Sequence, residues 1–232
     1  MAKKPRITVL QPEADVPLER FDAWLREGVR ITLIDLATKD VPNLETIGDG
    51  LLVLGGRTSV QGEEKWIGQV KDLIADAHAI DVPILGICLG HQLVAEALGG
   101  EVSVGDERGP EDGPFALTWL DGATEDPVLG AIAASGSPVP MSHHDVVTRL
   151  PQGAAELARS EKYPNQAFRL GSAVGVQFHP EASPELVQYW WASEHKSKQT
   201  TMLDRMKSVD HLMEPACRTI AEGFVAEVVD NA

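Results

Sequence analysis

The chain has 232 residues and an acidic balance, 35 Asp+Glu against 20 Lys+Arg for a formal charge of −15. That charge argues against nucleic acid or an anionic membrane as a partner. Hydrophobic residues at 43% and charged residues at 24% describe an ordinary globular protein with enough chain for one large domain or two small ones.

Two cysteines, Cys88 and Cys217, make no disulfide framework, and a reducing compartment is expected. The apolar stretch in the N-terminal MAKKPRITVL is too short for a signal peptide. No run approaches the ~20 apolar residues of a membrane span, so a cytoplasmic location follows as the expectation.

In chain order, RITVLQ (6–11) reads as a strand and PLERFDAWLREG (17–28) as a short amphipathic helix closed by Gly28. RITLIDL (30–36) and GLLVLGG (50–56) read as further strands, the latter ending in a glycine pair. EEKWIGQVKDLIADAHA (63–79) has helical spacing through Trp66, Ile67, Val70, Leu73, Ile74 and Ala77. PILGI (83–87) is a short apolar strand followed at once by the helical LGHQLVAEALGG. Apolar strands alternating with helices predict an α/β fold with a mostly parallel central sheet flanked by helices.

The second half is richer in strands: GEVSVG, PFALTWL, SPVPMSHHDVV, AAELARS, QAFRLG and AVGVQF. These are expected to add antiparallel strands to the same sheet. From Ser183 onward the pattern is helical, with a polar gap at SEHKSKQT (193–200) that suits a turn or short linker. The expected organisation is one domain over 1–192 and a helical C-terminal extension over 193–232 packed on it.

Within ILGICLGHQ (84–92), Cys88 falls where a buried strand passes into a helix, with Gly86 and Gly90 two positions to either side. This is the strand–turn–helix setting of a nucleophile elbow, where small neighbours let the chain fold back on itself. The N-terminus of the following helix would point free N–H groups at the sulfur and favour the thiolate. A buried cysteine beside packing glycines fits the same spacing.

A nucleophilic cysteine needs a base, and the base needs a group to orient it. His179 ends the strand-like AVGVQF and is followed by Pro180 and Glu181. Residues at i and i+2 of an extended segment share a side, so Glu181 can hold His179 in one tautomer. A strand-end histidine beside an unrelated carboxylate is the plainer alternative.

Together these segments resemble the class I glutamine amidotransferases. GICLGHQ (86–92) is similar to that family's cysteine elbow and GVQFHPE (175–181) to its histidine–glutamate signature, while LGG (54–56) matches its glycine turn over the oxyanion. MSHHDVV (141–147) and QAFRLG (166–171) resemble the GMP synthetase branch, especially its free-standing amidotransferase relatives.

The resemblance implies a glutaminase with catalytic Cys88, His179 and Glu181, and an oxyanion hole from the N–H groups of Gly56 and Leu89. Gln92, Ser142, His143 and Asp145 would hold the substrate glutamine, the Asp suiting its ammonium. Released ammonia would pass to a partner synthetase. No cofactor or metal is implied. Two departures stand out: Arg57 follows the glycine pair where relatives often have proline, and His144 replaces a frequent glycine.

Other readings of the same residues are weaker. His143-His144-Asp145 lacks the companions of a metal site, since adjacent strand side chains diverge. GGRTSVQGEEK fails the phosphate-loop pattern. Trp190 and Trp191 read as helix-packing residues, and Cys217 as a core or interface residue. No SGG-x-D-S nucleotide-activating motif occurs, so synthetase activity would need another chain. A stand-alone hydrolase of γ-glutamyl amides or peptides with the same triad is the alternative function. A catalytically silent binding protein is disfavoured because Cys88, His179 and Glu181 are all intact.

Overall fold

The structure is a computed structural model that describes residues 4–194 and 199–232. Its first half runs β1 (Arg6–Gln11), α1 (Arg20–Arg26), β2 (Arg30–Asp35), β3 (Gly50–Val53), α2 (Lys65–Ala79), β4 (Ile84–Ile87) and α3 (Leu89–Ala97). Next come β5 (Glu101–Ser103), β6 (Glu111–Phe115), β7 (Thr118–Trp119), α4 (Gly130–Ser135), β8 (Val139–His143) and β9 (Val146–Arg149). The chain ends with β10 (Ala155–Arg159), β11 (Ala167–Leu170), β12 (Ala173–Val176), α5 (Pro184–Glu194) and α6 (Gln199–Asn231).

Eight strands form the central sheet in the order β2-β1-β3-β4-β12-β11-β10-β7. The pairs from β2 through β12 are parallel, and β11, β10 and β7 extend the sheet antiparallel, as expected. Every residue of β3, β4 and β12 is buried, which is why these strands read as unbroken apolar runs rather than alternating ones. On one face α2 presents Ile67, Val70, Leu73, Ile74 and Ala77 to Leu51, Val53 and Ile84. On the other face, Phe21 and Leu25 of α1 join Ile220, Phe224 and Val228 of α6 against Ile7, Leu52 and Leu85. The C-terminal helix therefore shares the main apolar core with the sheet.

Two expectations change. SPVPMSHHDVV is not one strand: β8 pairs with β6, β9 pairs with β5, and neither ribbon joins the central sheet. The chain breaks at His144–Asp145, where the Asp145 carbonyl accepts the side-chain N–H of Gln92 instead of a strand partner. PFALTWL likewise divides between β6 and β7, and α4 has no counterpart among the expected elements. The turn expected over 193–200, and with it the domain boundary at 193, falls on a span whose centre, 195–198, lies outside the described residues.

Because β4 lies between β3 and β12, their C-terminal ends bring three segments together: the glycine pair after β3, Cys88 after β4 and His179 after β12. The C-terminal edge of an open α/β sheet is where ligand sites form.

Candidate active site

Cys88 takes φ +52°, a conformation that residues with a side chain rarely adopt, and its N–H donates to the Val176 carbonyl at 2.9 Å. The neighbouring glycines make this turn possible. A Cβ on Gly86 would lie 2.5 Å from the Gly90 carbonyl oxygen, and one on Gly90 would strike the Val53 carbonyl. Strand, helix and neighbouring strand thus meet at backbone contact, and α3 begins at Leu89 with its N-terminal end beside the sulfur. Strain of this kind is held in place only where the surrounding structure demands it.

His179 is 3% exposed; its N–H donates to the Pro140 carbonyl at 2.8 Å and its ring Nδ1 lies 2.7 Å from Glu181 Oε1. A carboxylate accepts, so Nδ1–H donates and Nε2 is left for the cleft. The pair does not meet along an extended strand as expected. β12 stops at Val176, and the chain turns so that the Ala182 N–H returns to the His179 carbonyl at 3.1 Å. Trp190 of α5 packs against the imidazole in a tilted arrangement, 4.6 Å between ring centres. His91, inside the cysteine motif, is a different case: it packs on Phe168, and burial pushes its pKa down to about 3.

Burial alone would depress the pKa of His179, but the Glu181 carboxylate and Cys88 sulfur beside it raise it to about 10. A histidine holding its proton more tightly when folded stabilises the fold fully below its unfolded value of 6.5, and that stability is lost as pH rises toward about 10. Urea unfolding of the protein and of His179→Gln at pH 6, 8 and 10 is expected to show the steeper decline with pH in the unsubstituted protein. Parallel declines would contradict the imidazolium assignment.

A cleft of about 170 Å³ opens over these groups, lined by Cys88, His179, Gly56, Gln92, Ser142, His143 and Asp145 together with Asp112, Trp190, Val16, Arg57, Thr58 and His144. Glu181 is fully buried behind His179, and Leu89 is buried at the start of α3. Cys88 Sγ lies 3.9 Å from the Ser142 carbonyl oxygen, and Ser142 Oγ donates to Asp112 Oδ1 at 3.1 Å. Gln92 Nε2 donates to the Asp145 carbonyl at 3.0 Å and to Gln177 Oε1 at 3.2 Å. The His143 ring sits between the Asp145 carbonyl at 3.2 Å and the Glu111 carboxylate at 3.1 Å. Asp145 Oδ1 accepts the Gly105 N–H at 2.8 Å. Gln92 and His143 thus spend polar atoms on shaping the 142–145 wall.

The glycine pair is equally constrained. A Cβ on Gly55 would lie 2.8 Å from His179 Cε1 and 3.4 Å from Cys88 Cβ, so only glycine lets this loop pass the two side chains. Arg57, standing where relatives often have proline, uses the N–H that proline would lack to donate to Glu13 Oε1 at 2.8 Å. Asp112 and Trp190 are cleft residues that sequence reasoning missed. Asp112 carried no signal, and Trp190 showed only the helical packing that it also performs in its cluster with Val187 and Met206. No group of three or more His, Cys, Asp or Glu that could hold a metal occurs among the described residues. No described helix is long and apolar enough to cross a membrane.

A profile of the family "Glutamine amidotransferase class-I" matches residues 21–189. The chain is 35% identical over 161 residues to a glutamine-hydrolyzing GMP synthase subunit of Halobacterium salinarum, covering 68% of this chain and 78% of the relative. It is 41% identical over 157 residues to the GMP synthase subunit of the same kind from Sulfolobus acidocaldarius, covering 67% and 76%. A crystal structure of a glutamine amidotransferase from Thermotoga maritima superposes with a TM-score of 0.80 at 25% identity, covering 97% of this chain and 99% of that one. The profile takes in the cysteine turn, the histidine–glutamate pair and the 142–145 wall, and the chain belongs to the class I glutamine amidotransferases.

Proposed function

We propose that the chain hydrolyses the side-chain amide of glutamine through a thioester on Cys88 and delivers the ammonia to a synthetase on another chain. Cys88 Sγ attacks the amide carbon, and charge gathers on the carbonyl oxygen. The N–H groups of Leu89 and Gly56 receive that charge. His179 protonates the departing nitrogen, which leaves as ammonia, and the γ-glutamyl thioester remains. Water then attacks the thioester with His179 as base, giving glutamate and returning the proton to the cysteine–histidine pair. Glu181 holds the imidazole in the tautomer that both steps need.

The amino-acid end of glutamine lies against Ser142, His143 and Asp145, over the side chain of Gln92. The observation that carries this reading is the His179 ring, fixed at 2.7 Å by a buried carboxylate and lining the same cleft as the elbow cysteine. A partner is inferred from the relatives, which are named as subunits.

Ammonia release from glutamine and from a panel of γ-glutamyl amides, with and without a candidate synthetase chain, tests the proposal. Glutamine is expected as the preferred substrate, with a rate that rises on adding the partner, and the chain alone should make no GMP from XMP, ATP and glutamine. High activity on other γ-glutamyl amides with little on glutamine would favour the stand-alone hydrolase instead.

A further inference from the structure

Gly55 and Gly56 are adjacent and, although they pass close to His179, Cys88 and Leu89, they carry no side chains that could themselves anchor the peptide between them. An oxyanion donor must nevertheless sit within about 2.7–3.1 Å of the developing charge. Hydrogen-bonded restraint comes from the residues that follow. Glu13, in the connection from β1 to α1, supplies it: its Oε1 accepts the Arg57 N–H at 2.8 Å, the Thr58 N–H at 2.9 Å and the Thr58 hydroxyl at 3.2 Å.

Glu13 is itself fixed. Its carbonyl accepts Gln11 Nε2 at 3.0 Å and the Val16 N–H at 3.2 Å. Two residues on, Asp15 pairs with the Arg57 guanidinium at 3.1 Å, and its carbonyl accepts the indole N–H of Trp190 at 2.7 Å. That indole is the one packed against His179. One short connection thus touches both the oxyanion loop and the base.

We infer that Glu13 is a positioning residue for the reaction: its carboxylate clamps residues 57 and 58 and so sets the Gly56 N–H toward the oxyanion. Charge-assisted bonds donated by two consecutive backbone N–H groups to a single carboxylate are strong and directional. The inference rests on the glutaminase reading given above and adds to it the group that pre-organises one of the two oxyanion donors.

Glu13→Ala, Glu13→Asp and Glu13→Gln are compared with the unsubstituted protein for kcat and KM on glutamine, for melting temperature, and for the rate at which iodoacetamide alkylates Cys88. Alkylation develops no oxyanion beside Gly56, so it separates the loop from the thiolate. Glu13→Ala is expected to lower kcat by about 10- to 100-fold, since a misplaced donor costs somewhat less than a deleted one. KM and the alkylation rate should stay within about twofold. Glu13→Gln, which keeps an acceptor oxygen, should recover most of the loss. Should Glu13→Ala not fold, Glu13→Asp carries the test, because it keeps the charge but withdraws it by one methylene, and the same split is expected. Unchanged kcat in these variants, or a kcat loss matched by equal losses in alkylation rate and melting temperature, would overturn the clamp and leave the glutaminase reading standing. Absence of ammonia release by the unsubstituted protein would overturn that reading, and the clamp with it.

Discussion

Cys88→Ser is expected to lower ammonia release from glutamine by about 10⁴-fold or more, while Cys217→Ser keeps nearly full turnover. The two thiols sit in opposite environments. Cys88 lines the cleft at the N-terminal end of α3, in the same cleft as His179, and a serine hydroxyl there is a far weaker nucleophile. Cys217 lies in α6, 2% exposed, and burial followed by the nearby Glu181 carboxylate pushes its thiol up, so it stays protonated. Its replacement by serine places a hydroxyl in the core, which costs about 1–3 kcal/mol of stability rather than activity. Initial rates with glutamine, paired with thermal melts, check both halves. Turnover by Cys88→Ser near the wild-type rate would rule out the thioester route.

His179→Ala is expected to remove nearly all turnover, with Glu181→Gln retaining about 10- to 100-fold more. His179 moves a proton in both half-reactions, whereas Glu181 orients the ring and stabilises its charge. The Glu181 carboxylate is fully buried, with Oε1 on the imidazole and Oε2 lacking a hydrogen-bond partner among the described residues. A glutamine there can keep one hydrogen bond to the ring but gives up the charge that holds the imidazolium. Steady-state rates of both variants, with folding checked by circular dichroism, decide the matter. Equal inactivity in two folded variants would contradict the division of labour between them.

The parallel half of the fold was legible because β1, β3 and β4 are almost wholly buried apolar runs and α2 carries a single apolar stripe. Residues 6–11 and 83–87 needed no more than that. The cysteine turn was legible because the glycines that permit it are local, two residues to either side. His179 and Glu181 do meet, but not by the alternation along a strand that the sequence suggested: a turn after Val176 brings them together. The break at His144–Asp145 was hidden because β-rich residues flank it, and what splits the strand is a contact from Gln92, 53 positions away. Glu13 was hidden for the same physical reason. Its partners lie 44 and 45 positions along the chain, and nothing in the local pattern of PEADVP marks a carboxylate that serves another loop.

Mass spectrometry after exposure to a diazo-ketone analogue of glutamine tests the central claim most directly, because the reagent needs both a glutamine-shaped cleft and a nucleophile in it. One adduct per chain is expected, mapping to the peptide that contains Cys88, suppressed by added glutamine and absent in Cys88→Ser. An adduct on Cys217 with Cys88 unmodified, or labelling of Cys88 that glutamine fails to suppress, would contradict the account.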